Sequence, residues 1–484
     1  MFGYTVSFTG STLTAMIRGT GACPGDDVCQ VGALIASISA LAAAVSALVS
    51  GWLTDRIGRR QVLVWNNFLW ICGYATLAVA RDAAWVLAAR AACGFAMGTT
   101  SVVVPVYVSE TAPPELRGKL GGLFNVAISS GILLAFALGL VGVDGWWRVM
   151  AALGTLPPCT CFVIAMTSSL MPETPRWLVS KGCVKDARLA ASKLGPGCEK
   201  SLVDDALASD KVASTTGDDV ATTQRALFLG VGAVTCFATS GNNALQAYMD
   251  VILAHGGVND YALGGALFAA TQLVFAVAMF MVIIDRCGRR PLLLASSSGA
   301  SLSLFAMARA SELESGAWTV AFACSFIASV TLGLSTLSLV YASEVFPDKL
   351  RGRAMSASTF VFWAGSFALV EAFVPVARLI TIPRVCDILG LSCALGACFF
   401  FAFAIETKGT SLSEIQRNLA DSRLAFFPAA ASSRDRDGDD DGVFPAAPPK
   451  AAAGAPSLSS TSAWGATEYT SLLPPASSST TNDY

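Results

Sequence analysis

Charge is scarce in this sequence, and the scarcity fixes its class. Only 14% of its 484 residues are charged and 54% are hydrophobic, whereas an ordinary soluble domain is roughly 25% charged. A fold surrounded by water could not hide so much apolar surface, so lipid must be part of the solvent. Alternating strands of about 10 residues, which a membrane barrel needs, are also missing. That leaves the helix of about 20 mostly apolar residues as the spanning unit. Histidine occurs once, as His255, and no zinc-type cysteine spacing is present, so neither a metal nor a cofactor is expected. A net charge of −2 excludes a strongly basic nucleic-acid surface. Without a nucleotide fold or a nucleophile constellation, an enzyme is not expected.

What the chain does contain is a series of apolar runs. The first, Phe2 to about Ile17, is short for a bilayer and has no basic leader, so it reads as the outer part of a helix rather than a secretory signal. Its beginning is expected to lie outside this sequence. Further spans fall at about 31–53, 62–80, 83–108, 118–141 and 147–170, and six more at about 226–254, 261–284, 291–310, 317–341, 354–378 and 385–405. The expected fold is an all-α polytopic membrane protein with two six-helix bundles, 1–170 and 225–405. A cytosolic segment, 171–224, joins them. It opens on Pro172 and Pro175, which suit a helix start, continues as one short amphipathic helix from Arg176 to Leu194, and ends in a flexible Ser/Thr/Asp/Gly connector. Residues 406–484, rich in Ala, Pro, Ser and Asp, read as a disordered tail. Glu468 to Leu473 in that tail fits short acidic-dileucine and tyrosine-based sorting patterns, so sorting adaptors are candidate partners.

The basic residues orient the chain. If the spans alternate across the bilayer, one side holds the great majority of the 32 lysines and arginines, and the other holds only Arg18, Arg81, Arg148, Arg309, Arg378 and Arg384, with Arg90 inside a span. The positive-inside rule then places the turn at Gly51–Arg60 and the C-terminal tail in the cytosol. Most of the 14 cysteines sit in apolar spans as small packed hydrophobes. Cys23 and Cys29 alone share an external loop, where an oxidising exterior permits a disulfide.

The most informative stretch is Gly51-Trp52-Leu53-Thr54-Asp55-Arg56-Ile57-Gly58-Arg59-Arg60, a charged turn between two apolar runs. Its core reappears as Asp285-Arg286-Cys287-Gly288-Arg289-Arg290, and Ser109-Glu110 with Leu116-Arg117-Gly118 reappears as Ser343-Glu344 with Leu350-Arg351-Gly352. An internal repeat of this kind marks two halves of one architecture. Gly51 permits close helix approach and Gly58 a sharp turn. Charges in both copies suit a conformational latch, the alternative being a solvated loop that only sets orientation.

The turn resembles the signature of the major facilitator superfamily. Arg90 to Gly94, Pro105 to Glu110, Pro172-Glu173-Thr174-Pro175-Arg176, Glu344-Val345-Phe346-Pro347 with Arg351-Gly352, and Glu406-Thr407-Lys408-Gly409 are similar to motifs of its sugar porter family, which includes the facilitative glucose transporters. The resemblance covers about residues 2–412 and implies the major facilitator fold with twelve transmembrane helices. It assigns gating salt bridges to Asp55, Arg56, Arg59, Arg60, Glu110, Arg117, Glu173 and Arg176 in the first half. Their counterparts are Asp285, Arg286, Arg289, Arg290, Glu344, Arg351 and Glu406. Exposed ion pairs are individually worth about 0–1 kcal/mol, so such a network can break and reform in each cycle of alternating access.

Sugar recognition asks for amides, hydroxyls and an aromatic face inside the bundle, where polar groups are costly unless they meet a wet cavity or a partner. Asn242, Asn243, Gln246 and Tyr248 in the seventh span supply them, and Asn243 matches the family's binding asparagine. Asn125, Gln272 and Trp363 are further candidates, with Thr271 and Thr336, the alternative for each being helix packing. Several positions depart from the family: Phe237 and Ala238 replace its two glutamines, Asn125 a glutamine, Leu339 a tryptophan and Phe362 an asparagine. These departures point towards a cargo less hydroxylated, differently shaped or more apolar than hexose. For coupling, Thr5 stands near Arg90 where proton-driven relatives have an acid, which favours passive facilitation. Asp250 and Glu371 are the alternative proton carriers, or line the outer vestibule. The expected function is passive sugar or polyol transport, or proton symport of a sugar or another small organic solute, in the plasma membrane or a vacuolar or lysosomal one. A nutrient sensor signalling through its tail is the non-transport alternative.

Overall fold

The computed structural model describes residues 1–23, 29–112, 114–142, 145–166, 171–194, 203, 220–283, 286–347, 350–408, 415 and 419, with backbone alone at 114–119, 220–221 and 283. The first half contains α1 (Phe2–Thr20), α2 (Gln30–Ile57), α3 (Arg59–Ala78), α4 (Ala83–Thr111), α5 (Pro114–Gly139), α6 (Trp146–Leu153) and α7 (Leu156–Met166). Two short helices follow, α8 (Pro175–Ser180) and α9 (Val184–Leu194). The second half contains α10 (Val220–Thr239), α11 (Asn242–Ala247), α12 (Met249–His255), α13 (Tyr261–Ala278) with one π-turn at Met279–Ile283, α14 (Arg289–Glu312), α15 (Gly316–Leu332), α16 (Leu334–Val345), α17 (Arg351–Ile380) and α18 (Ile382–Phe403).

Helix is the form these apolar runs must take, because lipid offers no partners for backbone N–H and C=O groups and a helix satisfies them internally. Among the described residues nine helical stretches are long and apolar enough to cross a bilayer. The other three expected spans coincide with α1, with α3, and with the series α10–α12. Asp82 and Asp260 cap α4 and α13, each accepting from a backbone N–H three residues on, at 3.1 and 3.0 Å. The loop after α1 is closed by a Cys23–Cys29 disulfide.

Four expected elements are interrupted. The seventh span is not one helix: Gly241 adopts φ +80°, which favours glycine, and Tyr248 ends the short α11. The sixth breaks after Leu153 and the tenth at Gly333. The single amphipathic helix expected over 176–194 is two, α8 and α9, parted at Gly182 with φ +77°. Pro175 does stand in the first turn of α8. The connector beyond 195, the tail and its sorting patterns lie almost wholly outside the described residues.

Both halves belong to one unit, Met1–Ala430. Across the seam between them α2 packs on α17, α5 on α13, and α1 on α11. The first two contacts are equivalent under the repeat, since the second span corresponds to the eighth and the fifth to the eleventh. At the end of the bundle that carries the two Arg-Arg turns, Gly51 lies so close to α17 that an added Cβ would meet Ser356 Oγ at 2.7 Å. Small residues let helices approach in this way where lipid gives no hydrophobic drive.

Candidate functional site

Two constructions stand out: charged clasps at one end of the bundle and a polar cavity on the seam. In the first clasp Arg59 reaches Glu110 at 3.0 Å and Asp55 at 3.3 Å. Glu173 plays a different part, accepting the backbone N–H groups of Arg59 and Arg60 at 2.9 and 3.1 Å and so capping α3. The Arg60 guanidinium donates to the Met166 carbonyl at 3.0 Å. Arg56 lies over the Trp52 ring, 4.2 Å from its centroid. Arg176 is exposed, and no ion pair among the described residues involves it.

The second clasp repeats this plan. Arg289 meets Glu344 at 3.4 Å. Glu406 accepts the backbone N–H groups of Arg289 and Arg290 at 2.8 and 3.3 Å. The Arg290 guanidinium donates to the Phe401 carbonyl at 2.9 Å. Burial works against the Glu406 charge, but backbone N–H groups of Lys408, Arg289, Arg290 and Thr407 outweigh it and hold the carboxyl below its ordinary pKa. The Arg286 carbonyl accepts from Lys408 Nζ, and the Arg351 guanidinium donates to the Phe346 carbonyl at 3.1 Å. Asp285 and the Arg117 side chain lie outside the described residues. Every ion pair among the described residues stays inside one half. Among the described residues the clasps therefore brace each half's turn against its own helices, and close approaches across the seam at this end include Gly51 with Ser356 and Gly122 with Phe280.

The seam cavity is lined by Thr5, Val6, Ala36, Ser39, Ala40, Arg90 and Met97 from the first half and Asn243, Ala247, Trp363 and Val370 from the second. Its volume, ≈ 30 Å³, has room for no more than a few waters, so a sugar enters only when the halves part. Asn243 Nδ2 donates to Ser366 Oγ at 2.8 Å, and its Oδ1 accepts from Asn242 at 3.3 Å. Gln246 extends the chain, donating to Asn242 Oδ1 at 3.3 Å and Gln272 Oε1 at 3.4 Å. Trp363 donates to Ser101 Oγ across the seam at 3.2 Å. Arg90 donates to the Thr5 carbonyl at 3.0 Å, and the Thr5 hydroxyl shares a 2.8 Å hydrogen bond with Tyr74.

Of the sequence's binding candidates, Asn243 and Trp363 reach this cavity. The others do not line it in this conformation. Asn242, Gln246 and Gln272 form the buried amide chain behind Asn243. Asn125 donates to Thr336 Oγ1 at 2.6 Å, tying α5 to α16. Tyr248 donates to the Val370 carbonyl at 3.0 Å and stacks on Phe373. Thr5 and Arg90, expected for coupling, do line it. Glu371 accepts from Ser37 Oγ across the seam at 2.5 Å. Asp250 has an oxygen buried without a hydrogen-bond partner, near Gly265 and Phe136. Sequence reasoning missed Ser39, Ser101 and Ser366, because a serine that bonds a site residue is indistinguishable in one sequence from the packing serines of other spans. A larger groove of ≈ 420 Å³ at Gly257–Asp260 is lined by second-half residues alone, and its carboxylate is occupied in capping α13.

A repeated helical bundle with a polar seam and clasped turns is the build of a membrane transporter. Residues 1–419 match the family described as "Sugar (and other) transporter", and the chain belongs to that family. It is similar to the Facilitated trehalose transporter Tret1 of Apis mellifera ligustica, at 29% identity over 87% of this chain and 86% of the relative. The Probable metabolite transport protein CsbC of Bacillus subtilis is 31% identical, over 80% of this chain and 86% of its own length. The fold matches the solved proton:xylose symporter XylE with a TM-score of 0.72 at 22% identity, covering 86% of this chain and 95% of that one. Family and fold make this protein a membrane transporter of the sugar-porter kind, not an enzyme.

Proposed function

We propose that the protein carries a monosaccharide or polyol passively across the membrane by alternating access. The observation behind this reading is the seam cavity, where the Asn243 amide and the Trp363 ring meet at the junction of two halves with matching clasps. Rocking of the halves about that seam exposes the cavity to each side in turn. The Arg-Arg turns take the cytosolic side by the distribution of basic residues, and the Cys23–Cys29 bridge at the far end suits an oxidising exterior. We place the protein in the plasma membrane, with the tail available to sorting adaptors.

Passive transport is favoured because Thr5 offers Arg90 a carbonyl and no titratable group. Proton symport is the second reading, and the observation in its favour is Asp250, a carboxyl with an unpartnered buried oxygen. Purified full-length protein in vesicles decides between them. Uptake of labelled sugar unaffected by a pH gradient supports passive transport, and accumulation driven by external acid overturns it. Asn243→Ala should reduce uptake about tenfold, the worth of one hydrogen bond of about 1.5 kcal/mol, with unchanged protein in the membrane. Unaltered kinetics in that variant remove Asn243 from the site.

A further inference from the structure

Beside the Asn243 amide, the second half builds its part of the cavity from aromatic rings. Phe362 and Ser366 stand four residues apart on α17 and so share one face. Ser366 holds the Asn243 amide, and Trp363 lines the cavity. Phe362 lies edge-on to Trp363, with 4.8 Å between ring centroids. It also stacks on Phe237 of α10, at 4.8 Å with 18° between the ring planes. Both phenylalanines are 7% exposed. Across the seam, Phe2 of α1 lies 5.7 Å from Trp363.

Phe237 and Phe362 are two of the positions at which the sequence departs from its family, where a glutamine and an asparagine are expected. The fold brings these two departures into contact, so the change is a joint one: a pair of hydrogen-bonding side chains gives way to a pair of stacked rings. The pair lies wholly within the second half and therefore survives the parting of the halves that admits cargo. The polar groups around the cavity are largely committed to the protein. Asn243 has given one N–H to Ser366 and accepts from Asn242, Ser39 donates to the Arg90 carbonyl, and the Thr5 hydroxyl is shared with Tyr74. A sugar hydroxyl turned towards the rings would be buried without a partner, which is costly, whereas a methyl group packs on them.

We infer that the carrier prefers a 6-deoxyhexose to the parent hexose, with the ring hydroxyls towards Asn243 and the methyl group against Phe362 and Trp363. In this class the carbon that lacks a hydroxyl lies outside the sugar ring, so it reaches the aromatic wall while the ring hydroxyls stay on the opposite edge. The inference rests on the carrier reading above and names the class of monosaccharide that reading leaves open.

The test is competition within two pairs, 6-deoxy-D-glucose against D-glucose and D-fucose against D-galactose, for uptake of a labelled member by full-length protein in vesicles at pH 7. An apolar site rejects an analogue that only adds a hydroxyl by up to about a hundredfold. In the pair whose ring configuration is carried, the deoxy sugar should therefore inhibit at a concentration at least tenfold below that of the hexose. The double variant Phe237→Gln with Phe362→Asn should bring the two concentrations together, and Phe362→Leu, which keeps the wall apolar, should retain the preference. A ratio of this kind is not moved by a general loss of stability. Equal inhibition within the pair, or stronger inhibition by the hexose, overturns the inference and leaves the carrier reading in place. A preference unchanged in the double variant also overturns it, as does uptake of no member of either pair. Absence of uptake of any monosaccharide or polyol overturns the carrier reading as well. Should the double variant not accumulate in the membrane, the wild-type ratio alone decides.

Discussion

The two clasps are copies of one plan held at different depths. In the first half Arg59 and Glu110 are 13% and 7% exposed and 3.0 Å apart, while Arg289 and Glu344 are 20% and 23% exposed and 3.4 Å apart. The turns differ as well. Gly58 adopts φ +93° and ψ 159°, a region essentially reserved for glycine, whereas Gly288 sits at φ −70°, open to any residue. The same sequence motif therefore does not impose the same backbone. The first copy is the drier and more constrained of the two, and the second yields more readily to water.

That contrast can be broken most forcefully at the turn glycines. Gly58→Ala should destabilise the protein by about 1–3 kcal/mol through its backbone alone, with further disturbance of Glu173, whose Oε2 an added Cβ would overlap. Gly288→Ala should cost less, because there only the Glu406 carboxylate has to move. Thermal unfolding in detergent measures both, and equal losses would erase the distinction.

A smaller effect is expected at the ion pairs. Glu110→Gln should weaken its clasp by about 1–2 kcal/mol, and Glu344→Gln by about 0–1 kcal/mol. Alkylation of an Ala40→Cys probe in the cavity by a reagent supplied from the side of the turns should speed up more in the Glu110 variant.

Acid should act on the second clasp. The folded Glu406 carboxyl titrates below its ordinary value of 4.5, so its contribution is fully present above that value and is lost as pH falls through the lower folded value. Stability measured downward from pH 5 should show this loss, and Glu406→Gln should flatten that part of the curve. An effect as small as that of Glu344→Gln is expected from Arg56→Ala, which removes an exposed cation–π contact with Trp52 worth about 0.5–1 kcal/mol.

Much of the architecture was legible because lipid leaves so few alternatives. Apolar runs of bilayer length must be helices, and the repeat of Asp55–Arg60 at Asp285–Arg290 announced two halves. Less could be read at the site. Asn242, Asn243, Gln246 and Gln272 carry the same chemistry in the sequence, but only Asn243 reaches the cavity, since a helix presents its residues to different neighbours according to phase and crossing angle. Glu173 and Glu406 looked like partners for arginine side chains, and their strongest contacts proved to be backbone N–H groups at helix starts. The break at Gly241 was likewise hidden, because glycine in a span fits tight packing as well as a turn.

By itself the sequence determined the solvent, the spanning element, the twofold plan and the end of the bundle that holds the basic turns, since each follows from composition and local order along the chain. The tertiary structure alone decided which polar side chains pair with one another and which are left over. Both clasping glutamates and the hydrogen bond from Arg90 to the Thr5 carbonyl depend on residues far apart in sequence being brought within hydrogen-bond reach. No local pattern carries that distance.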